Sequence, residues 1–125
     1  MSKTIARLTI LSDSLSVEEL VGLFEVTPAE SWPRGFTPKV GVARKSAGVR
    51  HLLAITDGEV QLGRVLTPPS VERLIARSEY LTAELSIVAY VAETAGAGLS
   101  LESVRSLAAI RASVDLDIYA SDSEK

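Results

Sequence analysis

Thr4-Ile5-Ala6-Arg7-Leu8-Thr9-Ile10-Leu11, followed after a polar break by Ser16-Val17-Glu18-Glu19-Leu20, decides the fold. In the first stretch Ala6, Leu8 and Ile10 fall on one face and Arg7 and Thr9 on the other, the period-two pattern of a strand with one face buried. Asp13 to Ser16 breaks the alternation. Ser16 and Glu19 then form a capping box: the hydroxyl accepts from an early helix amide and the carboxylate reaches back to the cap. Val17, Leu20, Val21 and Phe24 follow at helical spacing, which predicts a helix over residues 17–24. Thr27-Pro28 is its expected stop, because a residue before proline avoids the helical region.

A second unit repeats this grammar. Leu85, Ile87, Ala89 and Val91 alternate with Val88 and Tyr90, so both faces of a strand over 85–91 are apolar, as in a strand covered on both sides. After the small-residue loop 94–98, Ser100 caps a helix with Leu101, Val104, Leu107 and Ala108 on one stripe. A last strand, 114–119, sends Val114, Leu116 and Ile118 to one face and Asp115, Asp117 and Tyr119 to the other. The helix starts Leu15-Ser16-Val17-Glu18 and Leu99-Ser100-Leu101-Glu102 read alike, from shared capping chemistry or from internal duplication.

Between these units the pattern is looser. Residues 27–47, rich in proline, glycine and charge, read as a long loop holding a short strand at 39–43. Residues 49–56 read as a strand, Asp57-Gly58 as a two-residue hairpin turn and 59–66 as the returning strand. Pro68-Pro69 reads as a stop, with Ser70 capping a helix over 70–81 whose buried stripe is Val71, Leu74, Ile75 and Leu81. The summed order is that of an α+β fold: a mainly antiparallel sheet with helices packed on one face, a ferredoxin-like or related two-layer sandwich. Residues 1–125 are one domain in this reading.

Composition narrows the function classes. Hydrophobic residues make up 46% and charged residues 23% of the chain, ordinary values for a globular protein. No apolar run approaches the roughly 20 residues of a membrane span, and the alternating N-terminal stretch lacks the apolar block of a secretory signal. With no cysteine, thiol catalysis and thiolate metal sites are excluded. The expectation is a cytoplasmic protein. A net charge of −3 speaks against nucleic acid as a partner.

No catalytic constellation stands out among the residues. Gly41-Val42-Ala43-Arg44-Lys45-Ser46 ends like a phosphate-binding loop but has Arg44 where that loop needs glycine before the lysine. His51 is the single histidine, without ligand spacing to any carboxylate, and no Gly-x-Ser-x-Gly elbow marks a nucleophilic serine. No catalytic residue, metal site or cofactor is therefore expected.

The charge distribution is more informative. Between Glu30 and Asp57 there is no acidic residue, while Arg34, Lys39, Arg44, Lys45 and Arg50 are interleaved with Trp32 and Phe36. Such a segment is either a solvated loop shielding an edge strand or a surface anchored by aromatic and arginine residues. Trp32, Arg34, Lys39, Arg44, Lys45 and Arg50 are taken as the first candidate partner-binding surface. Asp115, Asp117 and Tyr119 are the second: the two carboxylates share a strand face and read as an acid/base pair or cation site, as a solvated sheet edge or face, or, with Tyr119, as a polar surface for a basic partner.

The opening strand with Ser-Val-Glu-Glu-Leu and a helix ending before Thr27-Pro28, the basic segment around 34–46, and the closing Val114-Asp115-Leu116-Asp117-Ile118-Tyr119 together resemble the bacterial domain-of-unknown-function family 4279. The resemblance implies a compact α+β domain with no family-wide activity. By analogy with small bacterial domains found beside toxins, it points to an immunity protein. The leading expectation is a non-enzymatic protein-interaction domain, an immunity or regulatory protein that binds and masks a protein partner. The alternatives are a small-ligand-binding or sensing domain, using the loop 95–98 before a helix N-terminus, and a domain that forms a homodimer or larger oligomer.

Overall fold

The computed structural model describes residues 3–38, 41–91 and 98–120. Its elements run β1 (Lys3–Ser12), α1 (Val17–Val21), β2 (Glu30–Trp32), β3 (Ala47–Leu53), β4 (Ile55–Thr56), β5 (Glu59–Val60), α2 (Pro68–Ala76), β6 (Thr82–Val91), α3 (Leu101–Ala109) and β7 (Ser113–Ala120). A 3₁₀ turn, Ser78–Tyr80, leads from α2 into β6. Five strands form one sheet in the order β2-β3-β1-β6-β7, and β4 and β5 form a separate hairpin. Neighbours are antiparallel except β6 and β7, which are parallel and joined through α3.

The expected α+β, mainly antiparallel two-layer sandwich is what the chain adopts. Leaving aside the hairpin, β1, α1, β2, β3, α2 and β6 follow a β-α-β-β-α-β order, and α3 and β7 extend the sheet beyond β6. The two strand–helix–strand units are not equivalent. In the first, β3 lies between β1 and β2; in the second, β6 and β7 pair directly.

One face of the sheet carries the core. Ala6, Leu8 and Ile10 of β1, Val49 and Leu53 of β3, and Leu85 and Ile87 of β6 are buried against Leu20 of α1, Leu74 of α2, and Leu107 and Ile110 at the end of α3. The register explains the selection: Leu8 stands opposite both His51 and Leu85, so alternate residues of three adjacent strands line up on one face. The other face carries Arg7, Thr9, Arg50, Leu52, Glu84, Val88, Tyr90, Asp115, Asp117 and Tyr119, and no helix of the described residues covers it. This corrects the two-sided burial expected of β6, whose Glu84 and Tyr90 are exposed and whose Val88 is half-buried.

Several boundaries also move. The capping box of Ser16 and Glu19 is present in both directions, at 3.1 Å each way, but α1 stops at Val21 because Gly22 caps it, well before Thr27-Pro28. The prolines at 68 and 69 begin α2 rather than ending an element: Thr67 is the cap, and proline fits a first turn whose amides lack helical partners. The helix ends at Ala76 rather than 81, and Ile75 is exposed. The Asp57-Gly58 turn is present, with both residues at positive φ, but its strands are two residues long rather than reaching 66. The hairpin is tied to the chain ahead of α3, where the Val60 amide donates to the Gly98 carbonyl at 2.8 Å. Of the strand expected at 39–43, residues 41–43 form none, and 39 and 40 lie outside the described residues. The strand in that region is β2, within the expected loop.

Candidate functional site

The basic segment folds around Trp32. Gly48 is Trp32's cross-strand partner, and a Cβ at Gly48 would lie 2.3 Å from Trp32 Cζ2. The indole therefore lies flat across the backbone of β3, on the sheet face away from the helices, and is only 4% exposed. Its Nε1 donates to the Ser46 carbonyl at 3.1 Å. The Arg44 and Arg50 guanidinium carbons stand 4.7 Å and 5.3 Å from the ring centroid, within cation–π range.

Most of the cations there are engaged internally. Arg50 Nη1 pairs with Glu30 Oε1 at 3.2 Å, and its Nε donates to Thr9 Oγ1 at 3.2 Å. Arg34 Nη2 donates to the Leu15 carbonyl at 3.2 Å, which binds the loop to the entry of α1. The Gly35 amide donates to the Arg44 carbonyl and the Arg44 amide to the Phe36 carbonyl, at 2.8 Å and 2.7 Å, and these bonds close the loop. Arg44 Nε is buried without a hydrogen-bond partner. Lys45 is exposed, and Lys39 lies outside the described residues. Trp32, Arg44 and Arg50 are thus brought together as a brace on the sheet, while Arg34 is turned toward Leu15.

The second candidate surface lies at the opposite edge. β7 is the last strand of the sheet, and its outer backbone edge has no strand partner among the described residues. Asp115 pairs across β6 with Ser86, Asp117 with Val88 and Tyr119 with Tyr90, so all three lie on the uncovered face. The Tyr119 and Tyr90 rings stack with centroids 5.4 Å apart. Neither Asp115 nor Asp117 has an ion pair among the described residues.

The other side of β7 is not marked out by the sequence. Val114, Leu116 and Ile118 are in register with buried Leu85, Ile87 and Ala89, so they face the helix layer. They are nevertheless 53%, 58% and 63% exposed. The cause is α3, which turns Ser103, Leu107 and Ile110 into the core and leaves Leu101 and Val104 in solvent, so the helix layer stops short of β7. The alternation of β7 signals a strand; that its apolar row is left uncovered depends on where α3 packs.

His51 belongs to the core face. It is 2% exposed, its ring centroid lies 4.4 Å from that of Phe24, and its Nε2 is buried without a partner. Burial holds its pKa below the ordinary 6.5, because desolvation penalises the imidazolium.

A cavity of about 580 Å³ lies between the hairpin and the N-terminal ends of α2 and α3, with Glu59, Glu72, Glu102, Ser100 and Ser106 among its lining residues. Of the loop 95–98 expected as an anion site, residues 95–97 lie outside the described residues. Among the described residues, no group of three or more histidine, aspartate or glutamate side chains could hold a metal ion, and no helix is long and apolar enough to cross a membrane. Comparisons with protein families, curated proteins and solved structures return no match.

Proposed function

We propose that this chain is a non-enzymatic protein-interaction domain that masks a partner protein through its β7 end, as an immunity or regulatory protein does. The observation that carries this reading is the eight-residue edge strand β7, without a strand partner along its outer backbone among the described residues, with Val114, Leu116 and Ile118 exposed on one side. An unpaired edge is a template for another strand, and the charges it carries, here Asp115 and Asp117, restrict which strands it accepts. A partner strand gains main-chain hydrogen bonds from such an edge, and alternate side chains supply specificity. The basic segment, by contrast, engages Arg34, Arg44 and Arg50 with the protein's own groups, so its role in this reading is to brace the sheet.

The test is an affinity measured on a partner captured from cells and then purified. Leu116→Lys is expected to weaken binding at least tenfold, and Lys45→Glu to leave it within about twofold. Binding retained by the first variant and lost by the second would move the surface to the basic segment and refute the assignment to β7.

The cavity between the hairpin, α2 and α3 favours a second reading, binding of a small molecule. Its carboxylates select against anions, so the screen is a thermal-shift series of amines and polyamines. A ligand at a hundred times its dissociation constant adds about 2.7 kcal/mol of stability, and a flat series disposes of this reading.

A further inference from the structure

We infer that the strand accepted by β7 is basic: an extended segment of another protein in which lysine or arginine alternates with aliphatic residues. This inference rests on the reading of β7 as an interaction edge and adds the chemistry of its occupant.

A strand laid on β7 places its alternate side chains on the two faces of the sheet. On the uncovered face it meets Asp115 and Asp117, spaced about 7 Å apart along the strand, with Glu84 on neighbouring β6; all three carboxylates lie on that face. Glu84 of β6 is paired with Ser113 of β7 and Thr9 of β1, and Arg7, opposite Ser86 on the same face, forms no ion pair with it among the described residues. On the helix side the partner meets Val114, Leu116 and Ile118. A basic and aliphatic alternation satisfies both rows at once.

The same geometry disfavours the central registers of pairing with a second copy of this chain. Antiparallel pairing of β7 with itself, centred on Leu116, sets Asp115 opposite Asp117. Centred on either aspartate, it sets a carboxylate opposite its own copy. Directly opposed like charges destabilise a strand pair and opposite charges favour it. The registers centred on Asp115, Leu116 or Asp117 are therefore closed to a second copy, while a shorter overlap centred on Ile118 sets Asp117 opposite Tyr119 and avoids the clash; a cationic strand meets no such opposition.

The experiment measures binding of the full chain to three labelled peptides by fluorescence anisotropy. The peptides alternate valine with lysine, with threonine or with glutamate. They are compared on the wild type, on Asp115→Lys/Asp117→Lys and on Leu116→Lys, with Trp32 emission confirming that each variant is folded. The expected result is tightest binding of the lysine peptide, weakened by added salt. The double reversal should weaken that peptide roughly tenfold and make the glutamate peptide the preferred one. Leu116→Lys should weaken all three. Equal binding of the three peptides, abolished by Leu116→Lys, would overturn the charge assignment and leave the interaction edge standing. Absence of binding to all three overturns the inference, and the captured-partner measurement then decides separately whether the edge binds protein at all. Concentration-dependent dimers abolished by Leu116→Lys would overturn it in favour of a second copy.

Discussion

Gly48→Ala is the perturbation whose outcome the structure fixes most closely. The backbone of Gly48 is not left-handed, so alanine can adopt it, and the loss of unfolded-chain freedom alone would stabilise the protein by about 0.4–1 kcal/mol. Packing opposes this. The new methyl would stand 2.3 Å and 2.5 Å from Trp32 Cζ2 and Cε2 and 2.8 Å from Leu11 Cδ2, where carbon atoms prefer roughly 3.5–4 Å. The ring must therefore move by about 1 Å or more, yet it is held from one edge by the Ser46 carbonyl and flanked by Arg44 and Arg50. Overpacking of this kind costs about 1–3 kcal/mol. Full expulsion of an aromatic burying about 200 Å² would cost about 5 kcal/mol. The net expectation is a loss of about 0.5–2.5 kcal/mol, and a melting temperature lower by roughly 2–10 °C. Trp32 is the single tryptophan, so a red shift of its emission reports the displaced ring directly. Gly63→Ala, with nothing within 4 Å of its new Cβ and no positive φ, is the control and should melt at the wild-type temperature or up to about 4 °C above it. A Gly48→Ala protein that melts at or above the wild type with unchanged emission would refute the reasoning.

Protonation of His51 should set an acid limit on stability. Because burial lowers its folded-state pKa, the neutral ring's contribution is complete above the unfolded value of about 6.5 and is lost as pH falls through the folded value. Urea melts at pH 7.5 and 5.0 should show this loss in the wild type and a shallower one in His51→Leu; equal slopes would remove His51 as a cause. Two leucines should differ sharply on truncation: Leu8→Ala, fully buried on β1, is expected to cost about 2–5 kcal/mol, and Leu116→Ala on β7 less than about 1 kcal/mol. Denaturant midpoints compare them directly, and similar losses would mean that β7 is covered.

The parts of the fold legible in the sequence are those where a local pattern and a tertiary need coincide. The alternation of Ala6, Leu8 and Ile10 becomes the core row of the central strand. Ser16 and Glu19 close their box because both partners lie within one turn. Ser100 caps α3 and accepts from the Ser103 amide at 3.1 Å. Where the decision belongs to a distant contact, the sequence is silent. Glu30-Ser31-Trp32 is too short to show a period, and it is a strand because Trp32 finds the gap left by Gly48. The apolar stripe of α3 suggests Leu101 and Val104 as core, but the helix turns its serine and Leu107 side to the sheet, and small Ser103 permits that approach. The basic segment is conspicuous by composition, yet composition does not reveal that Arg50 faces Glu30 or that Arg34 reaches the Leu15 carbonyl. The polarity of the Asp115–Tyr119 face is legible in the alternation of β7, while the exposure of Leu116 on its reverse depends on where a helix elsewhere in the chain stops.

The attachment of β7 has a consequence for how the protein opens. This strand is held by β6 alone, its two faces are largely in water, and it joins only after the α3 crossover, whereas β1 is hydrogen-bonded on both sides by β3 and β6. Regions with few buried contacts open with less than the global free energy. Amide protons of β7 should therefore exchange ahead of those of β1, through fraying that leaves the remaining four strands intact. A strand bound along the outer edge would close that local opening, so occupancy of β7 would register as slowed exchange in the very residues that otherwise exchange first.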